Sequence, residues 1–208
     1  SLGYMGSIFF IPASLAVLIF YSFPLLVALG ARWTEGEPVT GTKLAGLVVA
    51  LAGLGVALGV SFERLDPRGV ALAGMAAVGA AAHVLAIGRV ARWAGGATLP
   101  LNLRSMAVAL TVNAALLALQ GGATWPAGAA GWLGLAGTML FFTLGMTLMY
   151  AAVARIGPVR AAVLLNFEPL VAIAAAILLL DERFGPQQLA GAAMVLGAVL
   201  WVQLRRLA

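Results

Sequence analysis

Seven runs of mostly apolar residues follow one another along this chain, at 14–33, 43–60, 69–90, 101–119, 131–153, 159–180 and 188–204. A hydrocarbon layer about 30 Å thick takes roughly 20 such residues per spanning helix, and every run is of that order. In lipid each backbone N–H and C=O has to be satisfied within the protein, so runs of this length commit the chain to helices. With 63% apolar and 9% charged residues, little polar surface is left to face water. The sequence predicts an all-α integral membrane fold, a multi-spanning helical bundle. A shorter apolar stretch, YMGSIFFIP, ends at Pro12 and reads as the tail of a further helix. It lacks the basic start of a secretory signal.

Turn-forming residues punctuate the runs: GEPVTG at 36–41, LDPRG at 65–69, GGATLP at 95–100, QGGATWPAG at 120–128, and Gly-Pro at 157–158 and 185–186. Cationic side chains alternate between these connections. Arg32 and Lys43, then Arg89, Arg92 and Arg104, then Arg155 and Arg160, and finally Arg205 and Arg206 fall on one side. Their excess assigns that side, and the C-terminus with it, to the cytoplasm. The opposite connections carry Arg64 and Arg68 offset by Glu63 and Asp66, no charge over 120–130, and Arg183 offset by Asp181 and Glu182. Scattered in this way, the net charge of +5 reflects topology and not a nucleic-acid surface. Trp33, Trp93, Trp125, Trp132 and Trp201 fall near run ends, where aromatic belts form.

Laid on itself at an offset of 145 residues, the chain matches Pro24 with Pro169, Leu25 with Leu170, Glu37 with Glu182, and Leu44-Ala45-Gly46 with Leu189-Ala190-Gly191. An odd number of crossings separates the copies, so they run in opposite directions, the plan of secondary transporters with a midplane site between inverted halves. The stretches IPASLAVLIFYSFPLLVALGARWTEGE with KLAGLVVALAGLGVAL, and GPVRAAVLLNFEPLVAIAAAILLLDERFGPQQLAGAAMVLGAVL, resemble the paired signature of the EamA family in the drug/metabolite transporter (DMT) superfamily. The second copy is the more specific match, with an acid before a mid-helix proline.

That resemblance covers nearly the whole chain and implies inverted five-helix repeats, with seven complete spans here of an expected ten. Residues 1–62 would be the C-terminal part of the first repeat (the end of helix 3, helices 4 and 5) and 66–208 the second (helices 6 to 10), in a chain truncated at its N-terminus. It also implies alternating-access export of small metabolites, amino acids or drugs across a bacterial cytoplasmic (inner) membrane. It names no solute.

Glu168, within VLLNFEPLVAIAAAILLL, lies about 14 Å along its helix from Val159. A charge at that depth costs at least about 2.5 kcal/mol. Such an acid lines a solute or proton pathway, or is a protonated side chain that joins helices. Asn166, two residues away, points to nearly the opposite face unless Pro169 distorts the turn. Pro169 and Pro24 deny a donor to the carbonyls of Leu165 and Phe20 and kink two matching helices. A central cavity needs such bends, although packing alone also uses them. Glu168 aligns with Phe23 and Asn166 with Tyr21, so the acid belongs to one copy only.

His83, the single histidine, lies in GMAAVGAAAHVLAIG about 10 Å deep. It reaches Glu168 if their faces meet; otherwise it is a neutral imidazole bonded to a backbone carbonyl. Asn113, Tyr21, Thr143, Thr147 and Tyr150 are pocket residues, or bond their own and neighbouring helices. Gly46 with Gly191, and Gly55 with Gly59, mark close helix packing. One His and one Glu without a third ligand make no metal site, and no cofactor is expected.

The function classes follow from these residues. An enzyme would need clustered acids, metal ligands or a Ser/His/Asp set at one membrane face, and none is apparent. A retinal-type receptor needs a lysine inside a late helix, whereas the one lysine, Lys43, is at a loop edge. No G-x-x-x-x-G-K-[ST] loop provides for ATP. What is left is a secondary-active carrier whose partners are the lipid bilayer and a small-molecule solute. The alternatives are a transport-incompetent fragment, or a subunit that pairs with another chain, a homodimer included, and after these a membrane-embedded enzyme.

Overall fold

The computed structural model describes residues 2–34, 36, 40–60, 65–180 and 185–204. Glu37, Glu63, Arg64, Asp181, Glu182, Arg183, Arg205 and Arg206 lie outside them. The regular elements are all helices: α1 (Leu2–Ser7), α2 (Ala13–Phe20), α3 (Phe23–Thr34), α4 (Gly41–Ala57), α5 (Pro67–Trp93), α6 (Leu99–Leu119), α7 (Ala129–Ile156), α8 (Pro158–Leu165), α9 (Glu168–Leu180) and α10 (Pro186–Leu204). Each of the seven apolar runs falls on helix. Among the described residues, four stretches are long and apolar enough to cross a membrane: Ala13–Thr34, Pro67–Trp93, Leu99–Leu119 and Ala129–Ile156. The 17 residues of α4 extend about 25 Å, at the short end of the spanning range.

The ends of these helices have local causes. Thr40 caps α4, its hydroxyl accepting from the Lys43 N–H at 3.4 Å. At the other end Gly59 takes φ +56° and the Val60 N–H returns to the Gly55 carbonyl at 3.3 Å, a left-handed glycine closure. Gly59 is therefore a helix terminator and not a packing residue, while Gly55 does face Leu18 across the helix boundary. Lys43, expected at a loop edge, is buried in the first turn of α4.

The chain forms two compact units, one of residues 1–86 and 158–208, the other of residues 87–157. In the first, α4 packs along α10 and α3 packs against α8. The α4–α10 seam is set by small residues. A Cβ on Gly46 would strike Val202 and approach the Ala198 carbonyl; one on Gly53 would strike Met194 and the Gly191 carbonyl; one on Gly191 would strike the backbone of Gly53 and Ala57. As position advances along α4 it retreats along α10, so the two helices are antiparallel. At the offset of 145, Gly46 corresponds to Gly191, Gly53 to Ala198 and Ala57 to Val202. The seam is thus self-complementary, in the way a two-fold interface is. Lipid supplies no hydrophobic drive between helices, so close backbone approach of this kind is what holds them. Beside it Ile11, Leu15, Ala16 and Ala73 form a buried cluster, with Tyr4, Ile19 and Val60 against it.

The second unit consists of the end of α5 with α6 and α7. It is apolar on its outside. Val108, Leu110, Leu133, Met139, Leu140, Phe141 and Phe142 are all more than 60% exposed. Each such side chain would forgo about 1.5–3 kcal/mol of burial if its surroundings were water; in lipid it forgoes nothing. The tryptophans are exposed at helix ends, with Trp125 stacked on Trp132 at 5.9 Å and Arg89 over the Trp93 ring at 5.4 Å. Amphipathic tips at the ends of an apolar band are what a membrane interface selects.

Candidate functional site

Two helices are interrupted, and the interruptions correspond. The run 14–33 breaks at Tyr21-Ser22, between α2 and α3; the run 159–180 breaks at Asn166-Phe167, between α8 and α9. At the offset of 145, Tyr21-Ser22 falls on Asn166-Phe167, and α2 falls on α8 residue for residue. Sequence alone points to a kink at each proline. The chain instead makes a full turn before each one, and Pro24 and Pro169 become the second residues of the following helices. That position suits proline, because the first turn of a helix has no intrahelical use for its N–H.

Side chains close the exposed helix ends at both breaks. Ser22 Oγ donates to the Ile19 carbonyl at 2.7 Å, and Asn166 Nδ2 donates to the Val163 carbonyl at 3.2 Å. Backbone bonds tighten the same turns, from the Ser22 N–H to Ile19 and from the Asn166 N–H to Val163. Asn166 is buried and engaged with its own helix, whereas Glu168, two residues on, is exposed. The turn leaves them on different sides, as their spacing requires.

Glu168 occupies the first turn of α9, where the unpaired N–H groups of the helix start favour an anion. The Tyr21 phenol, from the other break, lies within hydrogen-bonding reach of this carboxylate. Aromatic rings surround the phenol: Phe20 lies 5.8 Å from Tyr21, edge to face, and Phe23 lies 6.2 Å from it. Phe20 in turn contacts Phe23 at 5.6 Å and Tyr4 at 5.3 Å. The result is a carboxylate beside a phenol, against a wall of three further aromatic rings. It can accept a proton or a hydrogen-bond donor, and the ring faces attract cationic or aromatic groups.

The other expected site residues lie on α5, α6 and α7. His83 is exposed on α5; the buried stripe of that helix runs through Ala73, Ala77, Ala81 and Val84, a helical repeat that passes His83 by. Tyr21 is a polar neighbour of Glu168. Asn113 is exposed on α6, its Nδ2 donating to the Ala109 carbonyl of its own helix at 2.7 Å. Tyr150 is fully buried in α7. Sequence reasoning passed over two things: the Tyr4-Phe20-Phe23 wall, which needs α1 placed beside α2, and Asn102, buried in α6. Among the described residues no group of three His, Cys, Asp or Glu side chains is placed to hold a metal ion.

The sequence profile of the EamA-like transporter family matches residues 67–204, more than half of the chain. No curated protein matches it. Solved structures do. One crystal structure, 21% identical, superposes with a TM-score of 0.77 and is covered over 98% of this chain and 71% of its own. At that identity the likeness speaks for the fold alone, and it extends across nearly every helix described.

Proposed function

The chain belongs to the EamA-like transporter family, a multi-pass membrane protein in contact with the bilayer, and we propose that it is a secondary-active carrier of small metabolites, amino acids or drugs working by alternating access. The observation that carries this reading is the pair of corresponding helix breaks, with Tyr21 of one copy reaching Glu168 of the other. Broken helices place free helix ends and polar side chains inside the bilayer, a cost that is tolerated where backbone lines a cavity. Opposed copies give such a site two equivalent routes of access.

In this proposal Glu168 binds the solute or exchanges a proton, Tyr21 orients its carboxylate, and Pro24 with Pro169 keeps both helices broken. Asn166 secures its own turn. The two repeats divide at 1–62 and 66–208, and the C-terminus faces the cytoplasm of a bacterial cell whose cytoplasmic membrane the protein occupies. In this proposal the solute moves outward across that membrane.

Proteoliposomes loaded with a radiolabelled amino-acid mixture test it. The wild-type protein is expected to speed efflux over empty vesicles, and Glu168→Gln to slow it. Efflux in the variant equal to wild type would remove Glu168 from the pathway.

A further inference from the structure

Asn102, in the first turn of α6, is 1% exposed and is the buried residue of that helix among those described. Its Nδ2 donates to Thr147 Oγ1 on α7 at 2.9 Å, and the Thr147 hydroxyl donates onward to the Thr143 carbonyl at 2.8 Å. This chain joins two helices and uses half of the amide. The other half is unused: Asn102 Oδ1 is buried with no hydrogen-bond partner among the described residues. Turning the amide over moves the deficit without removing it, since Nδ2 then loses its acceptor and carries two donors. A buried carbonyl without a donor is costly. Joining helices does not call for that cost, because a serine or threonine could supply the single bond to Thr147.

The facing stretch of α7 is polar as well. Thr147 and Tyr150 are one turn apart on α7, and Tyr150 and Val153 are the buried residues of that helix among those described. On α6 and α7, both otherwise exposed to lipid, burial is thus concentrated where Asn102, Thr147 and Tyr150 lie. Polar side chains beyond what helix packing uses are markers of a solute path.

We infer that the Asn102 amide is a docking point on that path: its Oδ1 accepts a hydrogen bond from an O–H or N–H group of a polar solute, and the side chain meets water when α6 and α7 part. The inference rests on the transport reading but has a test of its own. The chain contains no cysteine, so single-cysteine variants report one position each. In vesicles, Asn102→Cys is expected to be labelled by the membrane-impermeant cation methanethiosulfonate ethyltrimethylammonium. Leu110→Cys, 72% exposed in the middle of the apolar run 101–119, and Ala77→Cys, 1% exposed, are expected to stay unlabelled. An unlabelled Asn102→Cys would overturn the inference.

Asn102→Leu separates docking from structure. If Oδ1 waits for a solute, the leucine variant loses no more thermal stability than Thr147→Val, which removes the bond from Asn102 Nδ2 alone, while its efflux of the amino-acid mixture falls. A larger loss of stability than in Thr147→Val would mean that a fixed partner satisfies Oδ1, and undiminished efflux with Asn102→Cys labelled would assign the donor to water; either result overturns the docking point. Wild-type vesicles that move none of the mixture, with Asn102→Cys labelled, would fail the transport reading while leaving a hydrated Asn102.

Discussion

At the scale of single residues the chemistry is concentrated on Glu168 and Tyr21. A charge-assisted hydrogen bond contributes about 1.5–3 kcal/mol and a neutral one about 0.5–1.5 kcal/mol. Glu168→Gln is therefore expected to lower efflux by roughly tenfold or more, and Tyr21→Phe, which removes the phenol's bond to that carboxylate, by a comparable factor, both measured in proteoliposomes at matched protein content. Similar losses in the two variants would indicate that the pair acts as a unit; no loss in Tyr21→Phe would confine the site to the carboxylate. Glu168 was legible in the sequence because an acid inside an apolar run is conspicuous. Asn102 was not, because it stands in LNLR beside Arg104 and looks like part of a connection. The exposure of His83 was equally hidden, since every neighbour on its helix is apolar whichever way it faces.

At the scale of elements the decisive features are the broken helices and the glycine seam. Pro169→Ala restores an N–H that can reach the Leu165 carbonyl, which favours a continuous helix over the break. The expected result is slower efflux with unchanged or higher thermal stability; unchanged efflux would separate the break from transport. On the seam, Gly191→Ala forces a methyl group into the backbone of Gly53 and Ala57 and is expected to cost about 1–3 kcal/mol by overpacking. Gly74→Ala on α5 meets open space and should be neutral or stabilising by up to about 1 kcal/mol through helix propensity. Melting of both variants in detergent checks the contrast. The runs, their punctuating glycines and prolines, and the correspondence of Gly46 with Gly191 could all be read from the residues. The place of each break could not: proline marks the helix that follows, and the turn itself is made by Tyr21-Ser22 and Asn166-Phe167, each with one turn-forming residue set singly in an apolar run.

At the scale of the whole molecule, hydropathy identifies which segments enter the bilayer but not which faces meet protein. In water, burial leaves an amphipathic stripe. In lipid both environments are apolar, so α6 and α7 display Leu110, Leu133 and Phe141 with nothing in their pattern to mark an inner face. What sequence and geometry share is opposition: two copies related by one offset, with α4 and α10 antiparallel along a self-complementary seam. If the copies are threaded through the bilayer in opposite senses, the starts of these two helices face opposite compartments. Single cysteines at Thr40 and Gln187 in right-side-out vesicles measure this directly. Opposed copies predict that an impermeant thiol reagent labels Gln187→Cys from outside and Thr40→Cys only after the vesicles are opened; labelling of both from the same side would contradict the account.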